Sequence, residues 1–147
     1  MGLSILREAV SIRVNSDLNL CCPKGEDMIR GIKFGSIPVR DQVRSLTFYT
    51  EKLGFTILTD QPMGDQRWIE LGIPGAESAV VLFTPKEHET HIGTFSHISF
   101  WCDNAEKTYQ ELLKKGVEFD GPPEKMPWGT FVKFKDPDGN HFVLSSR

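Results

Sequence analysis

The stretch Phe95-Ser96-His97-Ile98-Ser99-Phe100-Trp101-Cys102-Asp103 alternates two kinds of residue and ends on a helix-capping side chain. Successive side chains of a strand point to opposite faces, so His97, Ser99 and Trp101 share one face, and Ile98, Phe100 and Cys102 share the other. Asp103 then starts a helix with Ala105, Tyr109, Leu112 and Leu113 at helical spacing, with Glu106 at the capping-box position and Gly116 as the stop. A short strand over 117–119 follows, and Pro122-Pro123 break the chain. A strand over 130–135 comes next, then the turn Asp136-Pro137-Asp138-Gly139-Asn140 and a returning strand over 141–145.

The same order stands upstream. A strand over 32–39 meets Asp41, which caps a helix through Val43, Leu46, Tyr49, Thr50 and Leu53, closed by Gly54. Strands over 55–59, 67–71 and 78–83 follow, separated by the turns Pro62-Met63-Gly64-Asp65 and Pro74-Gly75-Ala76. Asp41 and Gly54 lie 13 apart, as do Asp103 and Gly116, and adding 62 to the first pair gives the second. One β-α-β-β-β unit has an uncovered sheet face and an open edge, so two units close against each other around a shared cleft. The expected fold is therefore α+β, two βαβββ modules forming a curved mixed sheet. Module one spans about 30–84, a polar linker with His88 and His91 spans 85–94, and module two spans 95–147. Residues 1–28 are patterned more weakly and read as an N-terminal extension, or as an added strand or helix docked on the domain, with a compact domain over 29–147.

Bulk properties narrow the function. The chain has 147 residues, a net charge of −3 and a pI near 5.8, with no lysine or arginine cluster, which argues against nucleic-acid binding. Three cysteines, Cys21, Cys22 and Cys102, make no disulfide framework, and no second Cys/His pair sits at zinc spacing. No apolar run approaches the roughly 20 residues of a membrane span, and no secretory or myristoylation signal opens the chain. A cytoplasmic protein is expected. Glycine-rich phosphate loops and a Gly-x-Ser-x-Gly elbow are absent, and Cys102 points across the pleat from His97, away from any nucleophile pairing.

Particular words sit inside the repeat: Phe48-Tyr49-Thr50-Glu51-Lys52-Leu53-Gly54-Phe55, Arg67-Trp68, Lys115-Gly116-Val117-Glu118-Phe119, and Pro127-Trp128-Gly129 ahead of Asp136-Pro137-Asp138-Gly139-Asn140. Together they resemble the vicinal oxygen chelate superfamily of glyoxalase I, bleomycin-resistance proteins and extradiol dioxygenases, over roughly 30–147. The superfamily holds both enzymes and non-catalytic drug binders, so the fold alone names no reaction. In its metal-dependent members four cavity-facing side chains hold the ion, one from the first and one from the last strand of each module. The resemblance carries these positions onto Phe34, Val81 or one of its neighbours Val80 and Leu82, His97 and Val143. The repeat offset of 62 would instead set Gly35 against His97. Only His97 can donate to a metal. His141, two residues before Val143 on the same face, is the one partner that restores a two-histidine site for Zn, Ni, Mn or Fe, with Glu70 as the candidate base. No cofactor is the plainer expectation.

Alternation lines the cavity with Phe34, Ser36, Val81, Phe83, His97, Ser99, Trp101, His141 and Val143, an apolar and aromatic wall with a few polar groups. Trp68 and Trp128 fall at its mouth. Three tryptophans favour a flat or cationic aromatic ligand, with Glu70 and Arg67 the charges placed to touch it, or else engaged in a salt bridge. The leading expectation is a small-molecule-binding protein of bleomycin-resistance type that pairs as a homodimer. A divergent metal-dependent lyase or dioxygenase using His97 and His141 is the alternative, and a non-catalytic partner protein working through a sheet edge is a third.

Overall fold

A computed structural model describes residues 31–87 and 89–147; the expected extension over 1–28, Cys21, Cys22 and His88 lie outside them. The element order is β1 (Phe34–Pro38), α1 (Gln42–Thr47) running into a π-helical turn (Phe48–Lys52), β2 (Thr56–Met63), β3 (Gln66–Gly72), β4 (Ala79–Phe83), a 3₁₀ turn (Glu89–His91), β5 (Phe95–Trp101), α2 (Ala105–Lys114), β6 (Glu118–Phe119), β7 (Glu124–Met126), β8 (Gly129–Lys135) and β9 (His141–Ser146). One sheet has the order β1-β4-β3-β2 and the other β5-β9-β8-β6, with β7 also paired to β8. Each sheet joins one parallel pair, β1 with β4 or β5 with β9, to antiparallel partners. Both are thus mixed, as the two-module reading requires.

Two details of the repeat differ from expectation. The second helix is capped by Asn104, whose Oδ1 accepts from Lys107 N at 2.8 Å, rather than by Asp103. That places Glu106 one position short of a capping box. The caps Asp41 and Asn104 are therefore 63 apart, while Gly54 and Gly116, both at φ +77°, are 62 apart. The extra residue of the first module is taken up by its π turn, where Leu53 N donates to Phe48 O at 3.3 Å across five residues. An offset of 63 before the helices puts Phe34, not Gly35, opposite His97. In the second module, Gly121-Pro122-Pro123 divides what is a single strand in the first into β6 and β7, and β7 was not foreseen.

Both sheets spend one face on a single core. Ile37, Ile69, Leu71, Val80 and Leu82 from the first sheet join Val132, Phe134, Phe142 and Leu144 from the second, with Phe48, Tyr49 and Phe55 between them. Each of these side chains is nine-tenths or more buried, and at roughly 1.5–3 kcal/mol apiece their burial is the main force joining the modules. Ile98, Phe100 and Cys102 pack against this core, so β5 buries the face that alternation assigned to the interior.

A polar latch reinforces the apolar core. Asp136 accepts from Asp138 N and Asn140 N at 2.9 Å each, and from Tyr49 OH and Asn140 Nδ2 at 2.8 Å each. Asp138 accepts from Arg44 Nη2 at 2.7 Å, Arg40 N at 3.1 Å and Ser45 Oγ at 3.3 Å, and Asn140 Nδ2 also donates to Pro38 O at 2.9 Å. The loop read from sequence as a turn is thus also the polar clasp between modules. Burial, with Asp136 beside it, raises the Tyr49 hydroxyl well above its ordinary value.

Candidate functional site

Since the two sheets use their inner faces for the core, the opposite faces carry what remains. On the second sheet the register sets three rows. Trp101, Ser145 and Phe131 lie side by side; next come Ser99, Val143 and Lys133; then His141 and Lys135. Glu124 of β7 pairs with Phe131 and Met126 with Gly129, extending the same surface. On the first sheet Ser36, Val81 and Glu70 form the row that corresponds to Ser99, Val143 and Lys133.

The aromatic residues divide between these faces. Trp68 stands edge-on to Phe34 with ring centroids 5.5 Å apart, both half-buried. Phe83 is half-buried beside Pro38, and Val81 is 1% exposed. Trp101 and Trp128 behave differently: they are 79% and 71% exposed although they line a common cavity of about 570 Å³ with Phe131 and Ser145. A neighbouring cavity of about 460 Å³ shares Trp128 and Phe131 and adds Met126, Val143, Lys133 and Asp120. The single lining expected from sequence is therefore distributed over two walls, with the open aromatic floor on the second. Sequence reasoning missed Phe131, Met126 and Lys133; the alternation Phe131, Lys133, Lys135 opposite the buried Val132 and Phe134 was the signal available.

The two histidines, on the neighbouring strands β5 and β9, differ in their surroundings. His97 is exposed, its ring edge-on to Phe95 at 5.6 Å, and it lines a cavity of about 340 Å³ with Ser36, His91, Thr94 and Asn140. His141 pairs with Phe95 in the sheet, and a register shift between Phe95 and Ser99 interrupts the ladder at His97. The His141 Nδ1 is 3.0 Å from Asp120 Oδ2, and Lys135 Nζ is 3.1 Å from Asp120 Oδ1 and 3.2 Å from Glu118 Oε1. The hydrogen bond from Lys135, with a smaller contribution from His141, holds the Asp120 carboxyl below its ordinary value, and Asp120 then Glu118 raise the Lys135 ammonium. Arg67 is engaged by Asp60, with Nε 2.8 Å from Oδ1, so the salt-bridge alternative holds for it. Glu70 has no ion pair among the described residues.

These donors do not fit a four-ligand metal site. At the positions onto which the resemblance carries three of the ligands, Phe34, Val81 and Val143 have hydrocarbon side chains, and among the described residues no three His, Cys, Asp or Glu groups come together in a way that could hold a metal ion. The chemistry the surface does support is stacking, through large aromatic faces held open above a sheet.

The sequence profile of the Glyoxalase/Bleomycin resistance protein/Dioxygenase superfamily matches residues 31–144. The chain belongs to that superfamily. It is 41% identical over 118 residues to YetH, an uncharacterized protein of Bacillus subtilis (strain 168), covering 80% of this chain and 98% of that one. Among solved structures it is similar to a member of the superfamily from Sphaerobacter thermophilus DSM 20745, at 35% identity and a TM-score of 0.74, covering 82% of this chain and 99% of the other. It is also similar to TnmS3, an antibiotic binding protein from Streptomyces sp. CB03234, at 32% identity and a TM-score of 0.72, over 80% and 96% of the two chains. Among the described residues no helix is long and apolar enough to cross a membrane.

Proposed function

We propose that this chain is a small-molecule-binding member of the superfamily, of bleomycin-resistance type, that takes a planar aromatic ligand against its second sheet. The observation that carries this is the pair Trp101 and Trp128, largely exposed yet facing one cavity over Phe131. Side chains of this size are exposed together mainly where something covers them. Similarity to an antibiotic binding protein supports the same reading. Titration with planar aromatic compounds should quench tryptophan fluorescence and raise the melting temperature. Trp128→Ala should weaken binding about tenfold or more, the scale of one lost stacking partner. A broad panel that stabilises nothing would end this reading.

The wall opposite is best supplied by a second copy. On one chain Trp101 and Trp128 are largely exposed while Phe34 and Trp68 are half-buried, and a homodimer would set the Phe34 and Trp68 face of one copy over the Trp101 and Trp128 face of the other. Sedimentation equilibrium at micromolar concentration should give about twice the monomer mass of 16.6 kDa. A monomer at that concentration would exclude this arrangement. Its cysteine content suits the cytoplasm.

One observation favours a second reading. The Asp120 carboxylate against His141 Nδ1 is the arrangement that orients a metal-binding histidine. In that reading His97 and His141 hold a divalent metal in a divergent lyase or dioxygenase. Elemental analysis after dialysis decides it: near-stoichiometric metal in the native protein that disappears in His141→Ala would favour the enzyme over the binder.

A further inference from the structure

Charge on the aromatic surface is unevenly satisfied. β8 presents Phe131, Lys133 and Lys135 to the cavity side in succession. Lys135 is neutralised by Asp120 and Glu118, and Asp120 is shared with His141. Lys133, one row closer to the aromatic floor, makes no ion pair among the described residues. It lies beside Val143 in the register, and Val143 lies beside Ser99, so an ammonium and a hydroxyl flank an apolar patch. Lys133 lines the same cavity as Phe131 and Trp128. A flat ring resting on those two would extend toward its ammonium. Glu124 is the competing charge. It is exposed on a three-residue edge strand, in register with Phe131, at the outer side of that floor.

We propose that Lys133 selects ligands carrying an anionic group, a carboxylate or a phenolate, on the planar aromatic body. This rests on the aromatic-ligand reading above and adds the sign of the charge that the ligand bears. The physical basis is that a lysine ammonium pairs with an anionic acceptor through opposite charge as well as hydrogen bonding, and with a neutral amide carbonyl through the hydrogen bond alone, while the apolar floor contributes equally for charged and neutral analogues.

The test uses the full chain and three probes of one ring system: 2-naphthoate, 2-naphthamide and 2-naphthylmethylammonium, followed by tryptophan quenching. The carboxylate should bind about tenfold more tightly than the amide, the scale of one such hydrogen bond, with the ammonium weakest. Raising the salt concentration should narrow the gap. Lys133→Met should remove the preference for the carboxylate over the amide, Lys133→Arg should preserve it, and Glu124→Gln should leave it in place. Equal binding of carboxylate and amide to the native protein would overturn the proposal while leaving the aromatic-ligand reading standing. So would tightest binding of the ammonium, lost in Glu124→Gln. Binding of none of the three would remove the ground from both.

Discussion

Asp136→Ala should lower the stability of the folded chain by about 3–5 kcal/mol, the range for breaking a buried hydrogen-bonded network around a charged group. The carboxylate accepts four hydrogen bonds, from two backbone amides of its own loop, from Asn140 Nδ2 and from Tyr49 OH of the other module. Deleting it strands those donors in a buried setting and removes one link between modules. At about 2–4 °C per kcal/mol for a chain of this size, the melting temperature should fall by about 10 °C. Asp65→Ala is the control, since it removes an exposed pair with Lys86 and should leave the melt unchanged. A wild-type melt for Asp136→Ala would mean that the hydrogen bonds to this carboxylate add nothing to the joining of the modules. The sign of the pH dependence follows from the direction of the shift. Burial raises the Asp136 carboxyl above its ordinary 3.8, against the hydrogen bonds from Asn140 and Tyr49 that lower it. The native state then holds the proton more tightly than the unfolded chain. Stability from this residue is fully present below the ordinary value and declines as pH rises through the raised one. Relative to the non-titrating Asp136→Asn, the native protein should therefore gain stability as pH falls across that interval, and denaturant titrations at several pH values measure it.

Much of this architecture was legible because strands and helices announce themselves by period. The alternation of Ile98, Phe100 and Cys102 against His97, Ser99 and Trp101 marked the buried face of β5 correctly. The glycines after both helices marked their ends. The repeat offset was off by one because a π turn changes the residue count of a helix without changing its apolar spacing enough to notice, and because Asp103 and Asn104 are both good caps. Only the backbone shows that Asn104 is the one accepting from Lys107. The cavity was harder to read. Alternation says which residues share a face but not whether two faces meet, so Phe34 and Trp68 were grouped with Trp101 and Trp128, which line cavities of the second sheet. The clasp was hidden for the same reason: Asp136-Pro137-Asp138-Gly139-Asn140 satisfies every rule for a turn, and its contacts to Tyr49, Arg44 and Pro38 span about ninety to one hundred residues of sequence.

Gly129→Ala tests how the aromatic floor is held. Gly129 opens β8 with φ +150°, and a Cβ built there would come within 2.4 Å of the carbonyl oxygen of Ser146 on β9. The obstacle is backbone rather than a side-chain tip, so the added methyl cannot be accommodated by a rotamer change. Either the β8–β9 ladder shifts at its Thr130–Ser146 pairing, or the β7–β8 hairpin moves away. The expected cost is about 2–4 kcal/mol, from backbone strain and a displaced ladder together. Trp128 directly precedes this residue and Phe131 follows two positions later, so the same shift should displace the tryptophan from the cavity it shares with Phe131. Aromatic-ligand affinity should therefore fall together with stability, and it should stay low even at temperatures where the variant is fully folded. Gly121→Ala provides the contrast. Gly121 lines the neighbouring cavity, yet nothing lies within 4 Å of a Cβ placed there, so both stability and binding should survive. Retained affinity in folded Gly129→Ala would show that Trp128 is positioned independently of the hairpin. The close approach of two strands would then be a matter of stability alone. Loss of affinity beyond the loss of folded protein would establish that the glycine in Pro127-Trp128-Gly129 lets the backbone pass close enough to β9 to hold the ring over its cavity.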